Sequence, residues 1–160
     1  MVLCANLLSC AIFVACAVAT PTYAAATTPE LESREPDADY RCVNNAVPGG
    51  AFVITQANAV AALNGSPRTT GRSGYPHTFE NFSGITWPVA KCNTASLLEF
   101  PVLLDGKIYN ADSRPKDNPG PARIIFTIDG QPAPTKLMCG VVAHAGQDGN
   151  PNAGFLNKCT

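Results

Sequence analysis

Three stretches of the chain alternate between apolar and other residues at strand period. In Leu98–Val102, the side chains of Leu98, Phe100 and Val102 fall on one face and Glu99 on the other. After a Pro119-Gly120-Pro121 turn, Ala122, Ile124, Phe126 and Ile128 alternate with Arg123, Ile125 and Thr127. In Met138–His144, Met138, Gly140, Val142 and His144 oppose Cys139, Val141 and Ala143. The first two strands each place one charged side chain among apolar neighbours. One segment reads as a helix: Thr55 as N-cap, an Ala-rich interior, and Gly65 where a C′ glycine belongs. It is short, so it needs its Val60/Leu63 side packed on a sheet.

Turn residues divide the rest. Tyr40–Phe52 reads as a strand or hairpin turning at Pro48-Gly49-Gly50, and Ser66–Gly74 as loop. Asp105-Gly106 is a turn from which Lys107–Tyr109 returns as a short strand. Ala111–Pro121 and Gly146–Gly154 are loops, and Phe155–Cys159 closes the chain. Phe79, Trp87 and Phe126 are core candidates. The predicted class is α+β: one helix packed on a four- or five-stranded antiparallel sheet.

Composition and charge add the segments outside that fold. The chain has 160 residues, which suits one domain. Val2–Ala19 carries no charge and runs into Ala24-Ala25-Ala26, so residues 1–26 read as a secretory signal peptide. Residues 27–39 sum to −4 and form an acidic, flexible tail or pro-segment, while residues 40–160 sum to +3. A mildly basic body suits a polyanionic ligand. Beyond the signal lie Cys42, Cys92, Cys139 and Cys159, an even number in an exported chain. Two disulfides are expected, in any of three connectivities. Asn64 and Asn81 head N-glycosylation sequons.

The candidate chemistry is a His/Glu/Arg/His set. His77 and His144 are the only histidines, and each ends an extended segment. With Glu99 and Arg123 they supply what phosphodiester cleavage by an internal hydroxyl requires. One group takes the ribose 2′-OH proton, a second protonates the leaving 5′-oxygen, and cations stabilise the charge on phosphorus. A carboxylate flanked by a guanidinium and an imidazolium is expected to stay ionised.

Four motifs in order, Gly74-Tyr75-Pro76-His77, Leu97-Leu98-Glu99-Phe100-Pro101, Pro119-Gly120-Pro121-Ala122-Arg123 and Cys139-Gly140-Val141-Val142-Ala143-His144, resemble the fungal guanyl-preferring extracellular ribonucleases. The resemblance extends to their ribotoxin relatives of the sarcin and hirsutellin type and covers about residues 40–160. It implies Glu99 as general base and His144 as general acid. His77, Tyr75 and Arg123 would contact phosphate, Asn81 and Phe82 would line the base pocket, and Phe155 would wall the phosphate subsite. It implies a 2′,3′-cyclic phosphate product, no metal or other cofactor, a cis Tyr75-Pro76 bond, and the pairs Cys42–Cys159 and Cys92–Cys139. The implied partner is single-stranded RNA, including ribosomal RNA, with no DNA and no membrane, and the protein is a secreted monomer.

Two features depart from the family pattern. Ser83 stands where the family has a base-recognising carboxylate, and a hydroxyl accepts more weakly. Only 21 residues separate His77 from Glu99, where the large ribotoxins carry a long basic loop and the hirsutellin type is short. The expected function is a secreted, guanine-preferring endoribonuclease. The alternatives are a ribotoxin-like effector making one cut in ribosomal RNA, and an inactive ribonuclease-like binder of RNA or a host protein.

Overall fold

The computed structural model describes residues 39–130 and 134–160. The expected signal peptide and all of the acidic tail but Asp39 lie outside the described residues. A hairpin opens the fold: β1 (Tyr40–Val43) pairs antiparallel with β2 (Ala51–Ile54), joined through a 3-10 turn at Pro48–Gly50. Helix α1 (Gln56–Gly65) follows. A five-stranded antiparallel sheet then runs in spatial order β3 (His77–Thr78), β4 (Leu98–Val102), β5 (Ala122–Asp129), β6 (Thr135–His144) and β7 (Leu156–Lys158). The α+β expectation holds, with the hairpin as a separate two-stranded sheet. Lys107–Tyr109 forms no strand; the segment lies along the sheet as loop.

The helix starts as its residues dictate. The Thr55 hydroxyl accepts from the Asn58 amide at 3.1 Å. Its end differs from expectation. Gly65 is the last helical residue, and Ser66, in extended conformation, is the C-cap. Gly65 is needed for space: a Cβ there would lie 2.6 Å from Ile108 Cγ2. Lys136, reaching from β6, donates its ammonium protons to the carbonyls of Leu63, Asn64 and Ser66. A cation thus meets the unpaired carbonyls and the negative end of the helix dipole. The buried helical residues are Ala59 and Ala62, with Leu63 packed beside them. Val60 takes no part in that core.

The sheet has two apolar faces. Under α1 lie Phe100, Val102, Ala122, Ile124, Phe126, Val141 and Ala143. On the other face Phe79, Trp87, Leu97, Ile125 and Val142 surround the Cys92–Cys139 disulfide. Alternation in β6 is not strict. The β5–β6 register shifts between Ile125, opposite Gly140, and Phe126, opposite Met138. This bulge makes Cys139 the extra residue. It turns Met138 towards the Val141/Ala143 face and lets Cys139 join Val142, reversing both predicted orientations. Gly140 leaves room for Trp87, whose ring would stand 3.0 Å from a Cβ. The second disulfide, Cys42–Cys159, joins the hairpin to the end of β7.

Lys136→Met should lower the free energy of unfolding by about 1–2 kcal/mol, the size of lost charge-assisted hydrogen bonds in a partly exposed setting. Urea titration checks this. An unchanged midpoint would mean that water serves those carbonyls equally well.

Candidate active site

Strand register brings the expected groups together. His77 in β3 is the direct partner of Glu99 in β4, and Pro101 in β4 is the partner of Arg123 in β5. Arg123 pairs with Val142 in β6, whose last residue is His144. His77, Glu99, Arg123 and His144 therefore share one end of the face that also carries Ile125 and Val142. His77, Glu99 and His144 open onto a cleft of about 280 Å³ that Asn81, Phe82, Ser83 and Phe155 also line. A larger hollow of about 420 Å³ lies across the Thr78–Asn81 segment and includes neither histidine nor Glu99.

Arg123 is 3% exposed and Glu99 is 8% exposed, a degree of burial that a charged group tolerates only with its partners in place. Arg123 Nε donates to the Tyr75 hydroxyl at 3.1 Å. Its Nη1 is turned onto the carbonyls of Pro119, Gly120 and Ala122. The Pro119-Gly120-Pro121 turn therefore serves as the cradle of the guanidinium, with Gly120 at φ 65°. Tyr75 is fixed by aromatic packing. His77 stacks on it at 4.7 Å, and Phe100 and Tyr109 meet it edge-on. Both Tyr75-Pro76 and Arg114-Pro115 are cis.

Electrostatics set Glu99 and His144 apart. Burial raises the Glu99 carboxyl above the usual 4.5, although His77, Arg123 and Lys116 each pull it down. Desolvation thus outweighs the neighbouring cations at this carboxyl. His77 Nε2 lies 3.2 Å from Glu99 Oε1, and its Nδ1 faces the Thr78 carbonyl at 3.1 Å. His144 is lowered from 6.5, mainly by burial and further by Arg123, against a raising contribution from the Gly154 carbonyl. Because that carbonyl accepts from Nδ1 at 3.0 Å, Nε2 is the nitrogen left to exchange a proton. Burial also raises the Tyr75 phenol, which keeps its proton available for donation.

The residues expected to line a base pocket and phosphate subsite are placed unequally. Phe82 and Phe155 are 91% and 80% exposed at the cleft mouth, where their faces are free to stack on nucleobases. Asn81, at φ 47°, spends its side chain on its own loop. Its amide donates to the Ile85 carbonyl at 2.9 Å, and its Oδ1 accepts from the Ile85 amide at 2.8 Å. That leaves its backbone for any base contact. Both expected disulfides are formed. Two nearby residues had no settled role in the sequence. Lys116 puts its ammonium 4.3 Å from the centre of the Tyr75 ring, and Tyr109 is buried with its hydroxyl on the Asp117 carbonyl. Both sit in or beside a Pro/Asp loop that has no periodicity to read. Lys107 pairs with Asp105 on the surface.

Comparison with known proteins follows the same geometry. The sequence pattern of the ribonuclease family matches residues 35–156. The chain belongs to that family. Ribonuclease clavin of Aspergillus clavatus is 33% identical over 175 positions, covering 88% of this ribonuclease and 93% of clavin. The ribotoxin restrictocin, crystallised with a 29-mer sarcin/ricin domain RNA analogue, superposes with a TM-score of 0.61 at 30% identity over 77% of this chain and 99% of restrictocin. Hirsutellin A of Hirsutella thompsonii gives a TM-score of 0.59 at 26% identity over 76% of this chain and 98% of its own.

Arg123→Lys keeps the charge and loses the fork that reaches Tyr75 and three carbonyls. It should cost about 2–3 kcal/mol of stability, from the lost hydrogen bonds of a charged group. Thermal and urea unfolding measure this. A loss under about 0.5 kcal/mol, the floor for one net hydrogen bond, would show that the cradle contributes little.

Proposed function

We propose that this ribonuclease cleaves single-stranded RNA by transesterification, with Glu99 as general base and His144 as general acid. The supporting observation is the pairing of a buried carboxylate, raised by desolvation, with a half-buried histidine whose Nδ1 is held and whose Nε2 is free. Both line one cleft. Glu99 takes the proton of the ribose 2′-OH as that oxygen attacks phosphorus. The bond from phosphorus to the 5′-oxygen breaks, and His144 Nε2 delivers the proton to the leaving oxygen. The products are a 2′,3′-cyclic phosphate and a 5′-hydroxyl. Arg123 and His77 face the charge that builds on the phosphoryl oxygens, and the Tyr75 hydroxyl donates to it. Every step uses the chain's own side chains.

DNA lacks the 2′-hydroxyl and is not a substrate for this chemistry. Phe82 stacks on the base 5′ to the cut, and Phe155 walls the opposite side of the cleft. Ser83 offers a neutral hydroxyl where a carboxylate would hold the guanine N–H donors, so guanine preference is weaker than a carboxylate would give. Two long-range disulfides fit an exported chain.

The likeness to clavin and restrictocin favours a second reading, a ribotoxin that makes one cut in ribosomal RNA. Oxidised mature protein incubated in parallel with intact ribosomes and naked total RNA separates the two. One discrete fragment, at doses that spare naked RNA, assigns the ribotoxin reading. General degradation assigns the secreted ribonuclease. Folded protein that cuts neither would return the chain to the binding-only alternative.

The pH dependence tests the two roles. Glu99 must be ionised, so activity rises as pH climbs through its raised pKa. His144 must be protonated, so activity falls as pH climbs through its lowered pKa. The kcat/KM profile should be a bell lying between the usual carboxylate and imidazole values, with both limbs drawn inward. Glu99→Gln should abolish the acid limb and His144→Gln the alkaline limb, each with a loss of roughly 10²-fold or more. A profile flat from about pH 4 to 9, wider than the ordinary carboxylate and imidazole range, contradicts the assignment.

A further inference from the structure

The hairpin turn holds a fully buried amide that the proposed reaction does not use. Asn44, directly after β1, has no exposed surface. Its Nδ2 donates to the main-chain carbonyl of His144 at 2.8 Å and to that of Pro151 at 2.8 Å. Its Oδ1 accepts from the Ala46 amide at 2.9 Å. Each polar hydrogen and the oxygen of this side chain thus has a partner, and each partner belongs to a different stretch of backbone. The main chain repeats the connection: the Asn45 amide donates to the Ala145 carbonyl at 2.6 Å.

These contacts converge on His144. The residues after it form a closed loop in which Ala145 donates to the Phe155 carbonyl and Gly146 to that of Ala153. That closure brings the Gly154 carbonyl onto His144 Nδ1 at 3.0 Å. Asn44 clamps the loop at its base, on His144 itself, and at its far side, on Pro151. Gly146 is at φ 77°, and a Cβ there would collide with Asn44 Oδ1 and the Ala46 amide. The loop is therefore packed against the amide as well as bonded to it.

We infer that Asn44 is a positioning residue for His144, holding the backbone of the general acid and the loop whose Gly154 carbonyl fixes its ring. The inference rests on the role of His144 in the proposed function. Its chemical consequence is specific. A general acid matters when the leaving group is a ribose alkoxide and matters little when the leaving group is an acidic phenol. A defect that acts through His144 must therefore depend on the leaving group, whereas a merely structural defect must not.

The test compares a dinucleoside monophosphate with a ribonucleoside 3′-(4-nitrophenyl phosphate) in the disulfide-intact mature protein. Asn44→Asp keeps the shape and replaces the donor with an acceptor. Gly146→Ala keeps Asn44 and displaces it. His144→Gln is the reference. Both positioning variants should lower kcat on the dinucleoside by roughly tenfold or more, part of the 10²–10⁴-fold that a placed acid supplies. The loss on the aryl ester should be much smaller, KM should hold, and the alkaline limb of the pH profile should move. Equal losses on both substrates, including outright unfolding in the assay, would overturn the inference. If His144→Gln itself loses both substrates equally, the general-acid reading fails first, whatever the Asn44 variants do.

Discussion

A guanidinium buried in the middle of a sheet costs several kcal/mol unless its donors are met, and that constraint organises this molecule. Arg123 meets it with the Tyr75 hydroxyl and three carbonyls of the turn before β5. Each partner must then be held in its turn. Tyr75 is fixed by the rings of His77, Phe100 and Tyr109. The Pro119-Gly120-Pro121 turn directs its carbonyls inward. Glu99 lies two pairs along the neighbouring strand, so the positive charge that the fold must accommodate adds to that of His77 in opposing the desolvation of a buried carboxylate. Burial still wins at Glu99 and holds its carboxyl above the ordinary carboxylate range.

The sheet serves two cores, and the site occupies the part of the second face that the apolar residues leave open. Under α1 the packing is continuous. On the other face Trp87 and the Cys92–Cys139 disulfide fill one end, and the His/Glu/Arg/His set fills the other. The β6 bulge makes this division possible: it puts Cys139 on the Trp87 side within one strand that also delivers His144 to the cleft. The elements that carry the site's edge, the hairpin turn and the Ala145–Phe155 loop, have few apolar contacts of their own. They are tied instead by Asn44, by main-chain bonds and by the Cys42–Cys159 bridge.

What the sequence disclosed is what repeats. Period-two alternation in β4 and β5 put Glu99 and Arg123 on one face, and α1 announced itself through Thr55. Motif resemblance supplied the disulfide pairs and the cis Tyr75-Pro76 bond, both present in the structure. Departures from a period were silent. The bulge at Cys139 reverses Met138 without changing any residue's character. Gly65 looked like a helix stop and is in fact a clearance for Ile108. Lys136, Lys116 and Asn44 act across 70, 41 and 100 residues of chain respectively, on carbonyls or a ring that no local pattern marks. Asn81 carries an amide in a plausible place, and only the fold reveals that the loop itself consumes it.

The central claim is chemical: an internal 2′-hydroxyl attacks phosphorus and the 5′-oxygen leaves. It is tested most directly by the ends of the products. A short RNA is cut under single-turnover conditions with a chelator present, and the termini are identified by phosphorus NMR and mass spectrometry. The account predicts a 2′,3′-cyclic phosphate on one fragment and a free 5′-hydroxyl on the other, at a rate the chelator does not change. A 3′-hydroxyl with a 5′-phosphate would contradict it, because those ends arise when water, and not the neighbouring ribose oxygen, is the nucleophile.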